Sequence, residues 1–345
     1  MIFSNRSIDI RQGGLGDIWM RLVSLYVASG IDNNFSINVI IPPKLFNAAS
    51  CAFSDRLNLT TSDNPSAIIF TVRGLRDVLP SALLGRRYLS PYGRVVIRDW
   101  NVYSIKDRIN SLALSISDRA GLVYSPPWET LSKYQGYSEI ASLPGFRSIS
   151  VESFYSGLLS DSVGIHFKLQ EAPVSAKLKI PSNFSDQILV FPSGTGHQFM
   201  PLDWAAKNLP DATYAFFYQD RELSEWQLSG LKIVVFYEEP GDMLALSSEA
   251  KVTLSTDSFP SHFLQFSASN LVVLLAELPR ERVVSPSFAG GVVEAVAPCH
   301  PCPHLERFGS PQCKAGHEIC LNWYSPDYAN SILAAISGHS SDSIS

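Results

Sequence analysis

Two α/β domains, each a parallel sheet covered by helices and the pair facing across a cleft, are the fold this sequence predicts. Three observations predict it. At 345 residues the chain is longer than one hydrophobic core usually serves. Strand-like and helix-like stretches alternate through the first half. After a polar, proline-bearing segment at 171–186 the same alternation begins again, which marks that segment as the linker. The domains expected are 1–172 and 187–336.

The composition is that of a folded globular protein, 46% hydrophobic and 17% charged. No run approaches the roughly 18 uninterrupted apolar residues of a membrane span, and no basic region followed by an apolar stretch opens the chain. The reading is a cytoplasmic protein without a transmembrane segment, with a peripheral position at the inner membrane face also open. The net charge of -5 is uneven, since basic residues outnumber acidic ones through residue 172 and the reverse holds after it. Nine basic residues against four acidic ones fall between Arg73 and Arg119. They suit either a solvated surface or an anionic acceptor. Nucleic acid is not expected, because the charge is too weakly basic.

The first unit opens at 7–19. Ile8 and Ile10 alternate as in a strand, and Ile18, Leu22, Leu25 and Tyr26 recur at helical spacing. The loop between them holds Gly13, Gly14 and Gly16, whose backbone N–H groups can approach a ligand beside a helix N-terminus. Asp17 follows at once. A sharp turn made for packing alone, and an acidic residue that only stabilises a first helical turn, are the plainer alternatives. A dinucleotide fingerprint is a poor match, since Trp19 stands where a third small residue is needed, and this argues against a nicotinamide-dependent oxidoreductase. Further strands are expected at 37–41, 67–72 and 95–99, while 117–145 shows no clear period. Cys51, alone in this half, reads as a core residue.

In the second unit, strands are expected at 188–191, 213–218, 232–237, 252–255 and 271–276, with helices at 202–208 and 260–269. The loop Ser193-Gly194-Thr195-Gly196 follows the first of these strands with small and hydroxyl residues. The segment Thr256-Asp257-Ser258-Phe259-Pro260-Ser261-His262 offers Ser258 as N-cap and Pro260 for the first helical turn. Its hydroxyls and backbone donors would hold a diphosphate without a metal, His262 adding a hydrogen bond. An ordinary capped helix with a surface histidine is the alternative.

Near the C-terminus, Cys299, Cys302, Cys313 and Cys320 follow the spacing C-x2-C-x10-C-x6-C in a proline- and glycine-rich stretch with few apolar side chains. A tetrahedral zinc or iron site of structural role would stabilise such a stretch; disulfides and free thiols are the alternatives. His300, His304 and His317 are substitute ligands. No catalytic metal is expected.

In this order the pieces resemble glycosyltransferase family 9, the ADP-heptose-dependent heptosyltransferases. Gly14-Leu15-Gly16-Asp17 is similar to the family's N-terminal Gly-Asp loop, and Phe191-Pro192-Ser193-Gly194 to the loop opening its second domain. Asp257-Ser258-Phe259-Pro260-Ser261-His262 resembles its Asp-Ser-Gly-Pro-x-His donor-phosphate motif, and Cys299-His300-Pro301-Cys302 with Cys320 its Cys-rich segment. Phe259 stands where the family has Gly, and His197 and Gln198 where it has Lys.

The resemblance implies a GT-B fold of two Rossmann-like domains, the first binding the acceptor and the second the nucleotide-sugar donor. It implies an inverting sugar transfer, with heptose one candidate, to a hydroxyl of a bacterial glycoconjugate or protein. Asp17 would be the catalytic base, with Gly14, Gly16, Ser193, Gly194, Thr195, Asp257, Ser258 and His262 binding substrate. A glycan, a lipid-linked glycan or a protein remains open as acceptor, as does oligomer formation. The other functional class left open is a non-catalytic nucleotide-sugar-binding or assembly protein on the same scaffold.

Overall fold

In the computed structural model the chain divides into two compact units, Met1–Ile165 and His166–Ser345. The described residues are 7–11, 14–31, 37–70, 88–89, 123–124, 173–180, 184, 187–193, 199–217, 230–268, 270–275, 280–285, 288–295, 323 and 325–341.

The first unit runs β1 (Ser7–Asp9), α1 (Leu15–Ile31), β2 (Ile37–Ile40), α2 (Pro43–Phe53), β3 (Leu57–Thr60), β4 (Ile68–Phe70), β5 (Tyr88–Leu89) and β6 (Val123–Tyr124). They form one parallel sheet in the order β3-β2-β1-β4-β5-β6, with Ile8 level with Val39 on one side and Ile68 on the other. β1 is an inner strand, and accordingly Ile8, Asp9 and Ile10 are all buried. α1 buries Ile18, Trp19, Leu22, Val23 and Leu25, and the Trp19 ring lies 5.0 Å from that of Phe53 in α2. Along α2, Leu45, Ala48, Ala49 and Phe53 form the buried stripe. Cys51 falls off that stripe and is exposed, so it is not the core residue expected. The expected strand at 95–99 lies outside the described residues.

The second unit runs β7 (Ile188–Phe191), α3 (Leu202–Asn208), β8 (Thr213–Phe217), β9 (Ile233–Tyr237), α4 (Pro240–Glu249), β10 (Val252–Thr256), α5 (Phe259–Leu264), β11 (Leu271–Leu275), α6 (Arg280–Val283), β12 (Gly291–Glu294) and α7 (Pro326–Ser341). Its parallel sheet has the order β12-β11-β10-β7-β8-β9. Counted from its own first strand, each sheet therefore reads 3-2-1-4-5-6, the doubly wound order. Every residue of β10 and β11 is buried, as central strands of such a sheet require. One face packs Val190, Leu254, Val272 and Leu274 with Trp204, Tyr214, Trp323, Tyr328 and Ile332. Trp323 sits between Trp204 at 5.6 Å and Tyr328 at 5.3 Å. Burial pushes the Tyr214 and Tyr328 phenols above their ordinary range, and Tyr214 Oη donates to Leu209 O at 2.8 Å.

Residues 173–180, from the expected linker, pack on this second unit. The Ser175 N–H donates to Asp242 Oδ1 in α4, and Lys177 Nζ meets Glu238 Oε1 at 3.0 Å.

Gly290, ahead of β12, tests the packing at this end of the sheet. A Cβ there would lie 2.3 Å from the backbone Leu271 O and 2.3 Å from the Phe288 ring. Backbone cannot yield as a side-chain tip can. Gly290→Ala is therefore expected to destabilise the chain by about 2 kcal/mol, read as a lower midpoint in urea with an unchanged slope.

Candidate functional site

Where a doubly wound sheet reverses its strand order, the loops after the two neighbouring strands diverge and leave a crevice at their C-terminal ends. In the second sheet the reversal lies between β7 and β10, with Phe191 level with Ser255. Ser193 follows one strand, and Thr256, Asp257 and Ser258 end or follow the other.

Hydroxyls knit this end together. Thr256 Oγ1 donates to Ser193 O at 2.8 Å, joining the two strand exits. Ser258, in extended backbone, is the N-cap of α5. Its N–H donates to Ser261 Oγ at 3.1 Å, and Ser261 Oγ donates to Ser258 O at 2.7 Å. Thr256 and Ser261 are buried, whereas Ser258 and Ser193 are only half-buried, and Ser258 Oγ donates to Thr256 O at 3.2 Å. Asp257, 6% exposed, faces His262 with 3.4 Å between Oδ1 and Nε2. His262 Nδ1 is buried with no hydrogen-bond partner among the described residues. Gln265 secures the far end of α5, its Oε1 accepting from Ser285 N at 2.6 Å and its Nε2 donating to Val283 O at 3.3 Å. Phe259 is half-buried with its ring 5.7 Å from Phe263. Such an end can donate hydrogen bonds to the oxygens of an anion, with a histidine held by a carboxylate alongside.

In the first sheet the reversal lies between β1 and β4. Gly14 is exposed, and its N–H donates to Asp17 Oδ2 at 3.2 Å. α1 begins at Leu15, so Gly16 and Asp17 occupy its first turn; Gly16 is buried there and is not in the open loop that the sequence suggests. Asp17 thus carries one structural bond, the reach-back of a third helical residue to the cap position. Its second oxygen, Oδ1, bonds to none of the described residues.

Reading by motif missed the charges beside this loop. Arg11 Nε and Nη2 donate to Asp9 Oδ1 and Oδ2 at 3.0 and 2.8 Å, and Nη2 also meets Asp63 Oδ1 at 2.6 Å. The Asp9 hydrogen bonds, with Asp63 adding to them, hold the Arg11 guanidinium above its ordinary range. The buried Arg21, on α1, donates from Nη1 to Ile10 O at 3.3 Å and so braces the exit of β1. Polar Asp9 between Ile8 and Ile10 in a buried strand was the available signal.

Gly194 and Thr195 lie outside the described residues, as do Cys299, Cys302, Cys313 and Cys320 with the three histidines near them. Among the described residues no group of three or more His, Cys, Asp or Glu is placed to hold a metal ion. No helix among them is long and apolar enough to cross a membrane.

Neither the protein-family models nor the curated proteins include a match to this chain. Solved structures do match over nearly its whole length. A glycosyl transferase of family 9 from Veillonella parvula aligns with a TM-score of 0.53 at 11% identity, covering 99% of each chain. The ADP-heptose lipopolysaccharide heptosyltransferase II of E. coli aligns at 0.55 and 12% identity, covering 96% of this chain and 99% of that one. TibC, an iron-containing dodecameric glycosyltransferase of enterotoxigenic E. coli, aligns at 0.56 and 11% identity, covering 97% and 77%. At such identities the likeness concerns the fold. The chain has the fold of glycosyltransferase structures, among them members of family 9 and ADP-heptose heptosyltransferases.

Proposed function

We propose that this chain is an inverting glycosyltransferase moving a sugar from a nucleoside-diphosphate donor to a hydroxyl of a bacterial glycoconjugate or protein. The observation that carries the reading is the hydroxyl-lined strand end at β7 and β10, on a fold shared with glycosyltransferases over nearly the full chain. The second unit holds the donor, its diphosphate taking hydrogen bonds from Ser193 and Ser258, with Gly194, Thr195 and the Asp257–His262 pair contributing. The first unit binds the acceptor beside Gly14 and Gly16.

Asp17 Oδ1 takes the proton of the acceptor hydroxyl as that oxygen attacks the anomeric carbon. The bond from that carbon to the diphosphate oxygen breaks, the configuration inverts, and the nucleoside diphosphate departs with its added charge. The donor-side hydroxyls stabilise that charge. Heptose on ADP is one candidate donor. The four cysteines would hold zinc or iron, and a fully ligated metal there supplies stability to the segment from 299 to 320. A location in the cytoplasm, at the inner face of the membrane, suits a donor of this kind, and an oligomer is compatible with it.

The test is calorimetric titration with ADP-heptose and other nucleotide sugars, then a transfer assay, with elemental analysis of the same preparation. Ser258→Ala is expected to weaken donor binding by about tenfold, the usual effect of losing one hydrogen bond to a charged group. Failure of every nucleotide sugar to bind removes the reading. Binding without turnover across several acceptors favours a non-catalytic nucleotide-sugar protein instead, a reading that Phe259 and the residues in place of Lys support.

A further inference from the structure

Arg11 leaves β1 where the first sheet reverses its strand order, three residues ahead of Gly14. Two carboxylates meet it in unlike ways. Asp9, with its side chain 10% exposed, grips Nε and Nη2 together and also accepts the Arg11 backbone N–H at 3.1 Å. That two-point bond fixes the plane of the guanidinium. Asp63 touches only Nη2 and is 82% exposed, within a stretch, 61–66, in which every residue is exposed. Water screens so open a pair, and holding it costs side-chain freedom. Other bonds hold the loop as well. Asn64 Nδ2 donates to Ser7 Oγ at 2.8 Å, and Asn64 Oδ1 accepts from Ser66 N at 2.9 Å. The Arg11 side chain is itself 33% exposed, and Nη1 bonds to none of the described residues.

We propose that Arg11 is an anion-binding residue of the first unit, that Asp63 occupies its open side as a resident surrogate, and that the ligand is a phosphate or carboxylate group carried by the acceptor. Asp9 orients the cation and Asp63 is displaced. A guanidinium edge matches the paired oxygens of either group. A carboxylate taking the place of Asp63 at Nη2 brings the same single negative charge, whereas a phosphate brings more, so freeing Nη2 from Asp63 matters most for the phosphate. The inference rests on the first unit binding the acceptor, and it narrows the acceptor to an anionic one.

Anion binding is measured on the full chain without donor, so its outcome is separate from that of sugar transfer. Inorganic phosphate, glucose 6-phosphate and glucuronate are titrated, with glucose as the neutral control. Asp63→Asn removes the competitor and is expected to tighten phosphate or glucuronate binding by about three- to tenfold, while Arg11→Gln weakens it by at least about tenfold. Arg11→Lys, which keeps the charge and loses the two-point grip, falls between and serves if the Gln variant does not fold. A gain confined to phosphates assigns a phosphorylated acceptor; a gain confined to glucuronate assigns a carboxylated one. A purely structural tie predicts lower thermal midpoints for both variants and no opposed change in anion affinity, and that result overturns the proposal. Intact transfer beside absent anion binding sinks this inference alone.

Discussion

Asp17→Asn is expected to slow sugar transfer by about two to four orders of magnitude while donor affinity and thermal midpoint stay near those of the unaltered chain. The substitution separates the two tasks of this side chain. An amide oxygen can still accept the Gly14 N–H bond now made by Oδ2 at 3.2 Å, so the start of α1 remains capped. It cannot take a proton at neutral pH. Asp17→Ala loses both tasks, and about 1 kcal/mol of stability should go with the cap. Comparing the two variants therefore distinguishes a catalytic acid group from one that serves the helix alone. Single-turnover transfer measured with saturating donor is the relevant rate, because it leaves product release out. Turnover by the Asn variant at the original rate would remove Asp17 from the chemistry and leave it as a helix cap.

The distinction matters because the two ends of this fold were not equally legible in the sequence. The second unit was read strand by strand, since its inner strands are nearly continuous apolar runs such as Leu271–Leu275, buried on both faces. Its edge strand β12 was not anticipated, because only Val293 of its four residues is buried. The same holds for β3, where only Leu57 is buried. An edge strand can leave little hydrophobic pattern, although the opposite edge β9 is legible from its apolar run Ile233–Tyr237. At the site, the turn from Thr256 to His262 was legible as a hydroxyl-rich N-cap, because capping is local and its partners lie three residues apart. Arg11 with Asp63 was not. Fifty-two positions separate them, and only the return of the chain after β3 brings them together. The Gly-rich loop was half legible, its position correct but its length overstated, as the first helical turn takes in Gly16. Helix ends shift by a residue or two more readily than helices appear or vanish.

A second large effect is expected on stability, at Asp242. Its side chain is fully buried, and its two oxygens accept three backbone N–H groups. Oδ2 takes those of Glu238 at 2.9 Å and Glu239 at 3.1 Å, and Oδ1 takes that of Ser175. Two of these donors turn the chain from β9 into α4, and the third ties down the segment 173–180 that enters the second unit. Asp242→Ala leaves all three donors without their acceptor. A buried unsatisfied donor costs about 1–3 kcal/mol and water can reach some of this corner, so a loss of about 3–4 kcal/mol is expected. Asp242→Asn should cost less, about 2 kcal/mol, because one oxygen remains and an NH2 group then faces a donor. The loss should also be ordered in space. The Ser175 amide is expected to lose hydrogen-exchange protection before the amides of β10 and β11, since its one hydrogen bond among the described residues runs to the removed carboxylate while those strands are paired on both sides. An Asp242→Ala chain that keeps its urea midpoint and its Ser175 protection would mean that this corner is held by the apolar packing of Met243 and Leu246 rather than by the carboxylate.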